Sequence, residues 1–81
     1  MDKLNVSSDE ASMLFKGLLS LVPGFLKKEN EMRKELLKKL WNNIDDYSKR
    51  NLLVSEGIRE HLDLWDFEYK EDLKRLEIEI I

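Results

Sequence analysis

The single proline of this chain, Pro23, is followed by Gly24 and falls inside its greasiest stretch, Met13 to Leu26. Proline removes a backbone donor and biases Val22 away from helical geometry, so any helix entering this stretch ends near Leu21. The break also leaves the stretch, which Lys16 interrupts as well, short of the roughly 20 residues that cross a bilayer. The chain is thereby divided into a short N-terminal helix and a longer C-terminal part.

The residues on either side favour helix. Leucine (15), glutamate (10) and lysine (10) dominate, threonine is absent and valine occurs three times, so the β-branched residues that favour strands are scarce. Ser7-Ser8-Asp9-Glu10 has the spacing of a capping box, with Ser7 as N-cap and Glu10 reaching back, which starts helix 1 at about Ser8. Helix 2 is expected from about 25 to 50, with Leu26, Met32, Leu36, Leu37, Leu40, Trp41, Ile44 and Tyr47 at three- and four-residue spacings. Asn51 is its expected terminator, and Ser55 caps helix 3. Helix 3 is the most regular signal: Ile58, Leu62, Trp65, Tyr69, Leu73, Leu76 and Ile80 form one stripe over about 55 to 80. Leu76, Ile78 and Ile80 also alternate with Glu77 and Glu79, a strand-like pattern, but Glu71-Asp72-Leu73-Lys74-Arg75 has poor turn chemistry for a hairpin.

The expected architecture is all-α: a single helical domain over 1–81, in which helices 2 and 3 form a long antiparallel hairpin and helix 1, about 8 to 21, packs across it. Trp41, Tyr47, Trp65 and Tyr69 are its expected aromatic anchors. Helix 2 is basic, net +3 from Gly24 to Arg50, and helix 3 acidic, net −5 from Ser55 to Ile81. Two antiparallel helices of opposite sign complement one another without any functional role.

Chemistry is sparse. With 81 residues and no cysteine, the chain has room for one small core and no thiolate site, iron–sulfur cluster or disulfide. The only histidine, His61, has Gly57, Ile58, Leu64 and Trp65 at its helical neighbours, so no carboxylate orients it locally. The acidic pairs Asp45-Asp46, Asp63/Asp66 and Glu68/Asp72 lie in polar stretches that water solvates. The three glycines are isolated and form no phosphate loop. The expectation is a non-enzymatic protein with no cofactor and no metal. The N-terminus lacks a basic region followed by an apolar one, and the expected location is cytoplasmic.

What exceeds the needs of folding is apolar surface. Helix 1 carries Met13, Leu14, Phe15, Leu18, Leu19, Leu21 and Val22 around roughly 240° of its circumference, and Phe67, Ile78 and Ile81 project off the helix 3 stripe. The favoured reading is a small adaptor, accessory subunit or regulatory protein that docks an apolar helical face on a protein partner, in a homo-oligomer or a larger complex. Its expected contact residues are Phe15, Leu19, Phe67, Ile78 and Ile81. The alternative is an accessory factor that touches nucleic acid through Lys27, Lys34, Lys38 and Trp41 at the basic edge of helix 2. Three acids in that run and a net charge of −3 disfavour direct phosphate contact. Membrane-surface binding through helix 1 is a third, less favoured reading, because its polar strip is narrow and weakly charged.

Overall fold

A computed structural model describes residues 6–78. Among these, every regular element is helical: α1 (Ser8–Leu19), α2 (Lys27–Asn42), α3 (Asp46–Leu53), α4 (Glu56–Leu64) and α5 (Lys70–Arg75). The all-α class is as expected, but the long hairpin is not formed. Its two expected helices are each divided, giving five helices in place of three.

Local chemistry accounts for each boundary. Ser7 and Glu10 form the reciprocal capping box, with the Glu10 N–H donating to Ser7 Oγ and the Ser7 N–H to Glu10 Oε1, both at 3.1 Å. After α1 the chain turns through Pro23-Gly24, and Asn30 clamps that turn to the first turn of α2. The Gly24 N–H donates to Asn30 Oδ1, and Asn30 Nδ2 donates to the Gly24 carbonyl, each at 2.9 Å. α2 stops at Asn42 because Asp45 caps a new helix: its carboxylate accepts the Ser48 N–H at 2.8 Å. The Asp45 N–H itself donates to Ser8 Oγ at 2.9 Å, pinning the α2–α3 joint to the start of α1. Asn51 lies inside α3, which continues to Leu53, and Ser55 caps α4 as expected.

The expected helix 3 is interrupted at Asp66, whose φ of 53° is left-handed. The Phe67 N–H reaches back to the Leu62 carbonyl at 2.9 Å and the Asp66 N–H to the Asp63 carbonyl at 3.0 Å. This is a Schellman closure, and the apolar pair Leu62/Phe67 accompanies it. The same closure recurs at Glu77, with φ 55°, where the Ile78 N–H donates to the Leu73 carbonyl at 2.9 Å. Neither left-handed position is a glycine. At both, the following apolar side chain offsets a backbone cost of about 1–2 kcal/mol for a non-glycine residue in this conformation.

One core serves all the helices. Phe15, Trp41 and Phe67 form an aromatic triangle with ring centroids 5.1 to 5.8 Å apart. Around it lie Ala11 and Leu19 from α1, Leu37 and Leu40 from α2, Leu52 and Leu53 from α3, and Leu62 and Trp65 from the end of α4. Polar tips are satisfied at the core's edge. The Trp41 indole N–H donates to Asp72 Oδ2 at 3.0 Å, the Trp65 indole N–H to the Leu21 carbonyl at 2.8 Å, and the Tyr69 hydroxyl to Asp63 Oδ1 at 2.9 Å. Tyr47 departs from expectation: it is 75% exposed, because the break at Asn43–Asp45 rotates α3 out of phase with α2. Among the described residues, no helix is long and apolar enough to cross a membrane.

Candidate docking surface

α1 shows how the excess apolar surface is divided. Ala11, Phe15 and Leu19, four residues apart, face inward and are fully buried. Met13 and Leu14 point away from the core and are 71% and 54% exposed. They form one wall of an open groove whose opposite wall is α2. Val6, Gly17, Leu18, Leu21, Leu36 and Leu40 complete a lining that is apolar throughout, enclosing about 620 Å³. Leu36 also belongs to an adjoining shallow depression on α2, in which Met32 and Leu36 are flanked by Lys28, Glu31, Glu35 and Lys39. Past Leu21 the apolar surface continues along the chain into Val22, Phe25 and Leu26, all exposed.

Gly17 is unusual within this groove. Glycine in a helix interior costs about 1 kcal/mol relative to alanine, and close packing against a neighbouring element is the ordinary compensation. Here a Cβ built at Gly17 meets nothing within 4 Å. No part of the described chain uses the space that the glycine leaves open.

The expected contact residues are placed differently. Phe15 and Leu19 are core residues, as is Phe67, so none of the three offers an exposed face. On a continuous helix Phe67 would stand about 200° from Trp65, but the left-handed turn at Asp66 swings it inward against Phe15 and Trp41. Ile78 is half-buried against the core, and Ile81 lies outside the described residues. The exposed large apolar residues are instead Met13, Leu14, Leu21, Val22, Phe25, Leu26, Met32 and Leu36, with Tyr47, Val54 and Leu64 farther along the chain. A signal for the division within α1 exists in Ala11. A small residue four positions before Phe15 and eight before Leu19 marks the side that packs closely, leaving Met13, Leu14 and Gly17 opposite.

The basic edge of α2 is only partly assembled. Lys27 and Lys34 share a small cleft with Pro23, Asn30, Glu31, Leu64 and Trp65. Lys34 lies 3.8 Å from Asp66, and Lys38 lies 3.6 Å from Glu35. Trp41 is 5% exposed and its indole N–H is committed to Asp72, so it offers no face on which a base could stack. Lys49 lies over that ring at 5.3 Å, a cation–π contact within the fold.

The acidic residues read as solvated pairs partly have structural duties. Asp72 accepts from both Trp41 and Arg75, and Arg75 also bridges to Asp46 at 2.9 Å, tying α5 to α3. His61 is half-buried, with its Nδ1 enclosed and no hydrogen-bond partner among the described residues. No group of three or more His, Cys, Asp or Glu with metal-holding geometry occurs among the described residues.

No protein-family model, no curated protein and no solved structure matches this chain. Function is therefore read from the surface itself.

Proposed function

We propose that this chain is a non-enzymatic docking module, an adaptor, accessory subunit or regulatory protein, whose working surface is the apolar groove between α1 and α2. The observation that carries this reading is the run of exposed apolar side chains along one stretch of the chain: of eleven exposed large hydrophobics among the described residues, eight lie between Met13 and Leu36, and Met13, Leu14, Leu21 and Leu36 among them line the groove. A monomeric soluble protein rarely exposes more than a few hundred Å² of contiguous apolar surface without a partner for it. Leu40, buried in the core, and Leu18, packed against it, tie the groove's lining to that core, so its walls are held before a partner arrives.

The test is a pair of exposed-site variants, Leu14→Glu and Leu36→Glu, made singly. Each places a charge in the groove without opening a cavity in the core. Both are expected to retain wild-type helicity and to lose every stable complex that the wild type forms. Full retention of all complexes by both variants overturns the proposal.

A further inference from the structure

We infer that α5 is an ionically latched flap, which swings open as a unit about residues 67–69 while α1 to α4 stay folded. The inference goes beyond the docking reading, since α5 contributes no residue to the groove. Every other helix among the described residues buries at least one of its own residues, whereas α5 buries none. Its six residues are too few to hold a helix unaided, and Tyr69 gives it no side-chain cap. Its place in the fold is set from outside.

Much of what holds it is charge. In the first turn Asp72 accepts the indole N–H of Trp41 from α2 at 3.0 Å, and in the last turn Arg75 reaches Asp46 of α3 at 2.9 Å. Arg75 also grips Asp72 at 3.0 Å, so one guanidinium joins both ends of the latch. Arg50 of α3 donates to the Leu76 carbonyl just beyond the helix. Apolar anchoring is confined to the half-buried Leu73 and Ile78 and to Tyr69 and Leu76, which flank the helix.

The flanks permit the motion. The chain enters the flap through residues 67–69, which have no regular structure, and Glu68 there is exposed. Phe67 is held with Phe15 and Trp41 in the aromatic triangle, so α1 to α4 keep their aromatic centre without α5. At the far end Glu77 holds a left-handed φ of 55°, and opening releases that strain. Exposed ion pairs each shift an equilibrium by about 1.5- to 5-fold and are screened by salt. Ionic strength therefore sets how often the flap opens. In the open form Trp41 loses its acceptor, and the part of the core under Tyr69 and Leu76 is bared.

The test is native-state hydrogen exchange of the full chain, followed by NMR in about 0.02 M and about 0.5 M NaCl, where screening is weak and strong. The Leu73, Leu76 and Ile78 amides, which donate to the Tyr69, Asp72 and Leu73 carbonyls, report the flap, and the Leu37 and Leu40 amides of α2 report the body. The flap amides are expected to be protected at low salt, yet to exchange about tenfold or more faster than those of α2. High salt is expected to speed them about two- to fivefold, a larger factor than in α2. Arg75→Gln, at an exposed position, is expected to have the same effect at low salt and to remove most of the salt response. Arg33→Gln, which breaks an ion pair within α2, is expected to leave the flap unchanged. Equal protection in α5 and α2 overturns the proposal, as does an equal change in both on Arg75→Gln or the same effect from Arg33→Gln. Flap amides unprotected at low salt also overturn it, because nothing would then be latched.

Discussion

Gly17 of α1 and Leu36 of α2 stand on opposite walls of the same open groove, and among the described residues nothing fills the space beside Gly17. A helix-interior glycine without a close neighbour carries a cost in stability that folding alone does not require. Gly17→Ala is expected to stabilise the isolated chain by about 1 kcal/mol, raising Tm by roughly 4–8 °C for a domain of this size. Thermal unfolding followed by circular dichroism at low protein concentration measures it. A lower Tm would mean that an element packs on Gly17 within the chain.

The two left-handed closures make a second, opposite use of glycine. Asp66 and Glu77 hold φ values of 53° and 55° in a region that costs about 1–2 kcal/mol for a residue with a Cβ. Glycine removes that strain and adds about 0.5–1 kcal/mol of chain entropy to be lost on folding. Asp66→Gly and Glu77→Gly are each expected to stabilise by about 0.5–1 kcal/mol in urea titration. Phe67→Ala, which empties a corner of the aromatic triangle, is expected to cost about 3–5 kcal/mol and to leave much of the population unfolded. No loss of stability in Phe67→Ala would contradict the closure described here.

These closures also explain how far the sequence could be read. The stripe Ile58, Leu62, Trp65, Tyr69, Leu73 and Leu76 turns out to be buried or half-buried along its whole described length, although the helix that suggested it is interrupted. Periodicity reports which residues face the core, and a closure of this kind can restart a helix with the phase preserved. Phe67 and Ile78, out of phase with the stripe, looked like a second apolar face. They are instead the apolar residues that follow the left-handed turns, and with Asp and Glu in place of glycine the turns had no conspicuous marker. The Asp45 cap was visible as Asp45-x-x-Ser48 but lay inside a convincing helical period. For the docking face, excess apolar surface on α1 was legible from composition and spacing, whereas its inward and outward halves depended on how α1 lies against α2.

Acid is expected to weaken the two caps. The Ser7 backbone and side-chain hydrogen bonds hold the Glu10 carboxyl below its ordinary value, and those of Ser48 do the same for Asp45. A carboxylate whose value is depressed in the folded chain contributes stability that is present above its unfolded value and lost as pH falls through the folded one. The contribution of both caps is therefore intact at neutral pH and declines below about pH 4. Denaturant midpoints measured from pH 7 to pH 2 are expected to fall less steeply in Glu10→Gln and Asp45→Asn than in the wild type. Parallel curves would contradict the capping geometry.

At the alkaline end the relevant group is Tyr69. Burial first, then its hydrogen bond to the Asp63 carboxylate, raise its hydroxyl above 10.0. A raised value in the folded chain gives stability that is present below the unfolded value and lost as pH rises through the folded one. In a Tyr47→Phe background, where Tyr69 is the only tyrosine, phenolate absorbance is expected to appear above pH 10 and to shift toward lower pH in Asp63→Asn. An unchanged titration on removing that carboxylate would contradict the Tyr69–Asp63 pairing.

The central claim, that the α1–α2 groove is the working surface, is tested most directly by site-specific photo-crosslinking in cells of the source organism, with the photoreactive residue placed at Leu36 or at Tyr47. Both side chains are exposed, but only Leu36 lines the groove. The account predicts a discrete crosslinked species from position 36, absent from position 47 and lost when Gly17→Leu is added. Crosslinking from position 47 alone, or from position 36 undiminished by Gly17→Leu, would contradict it.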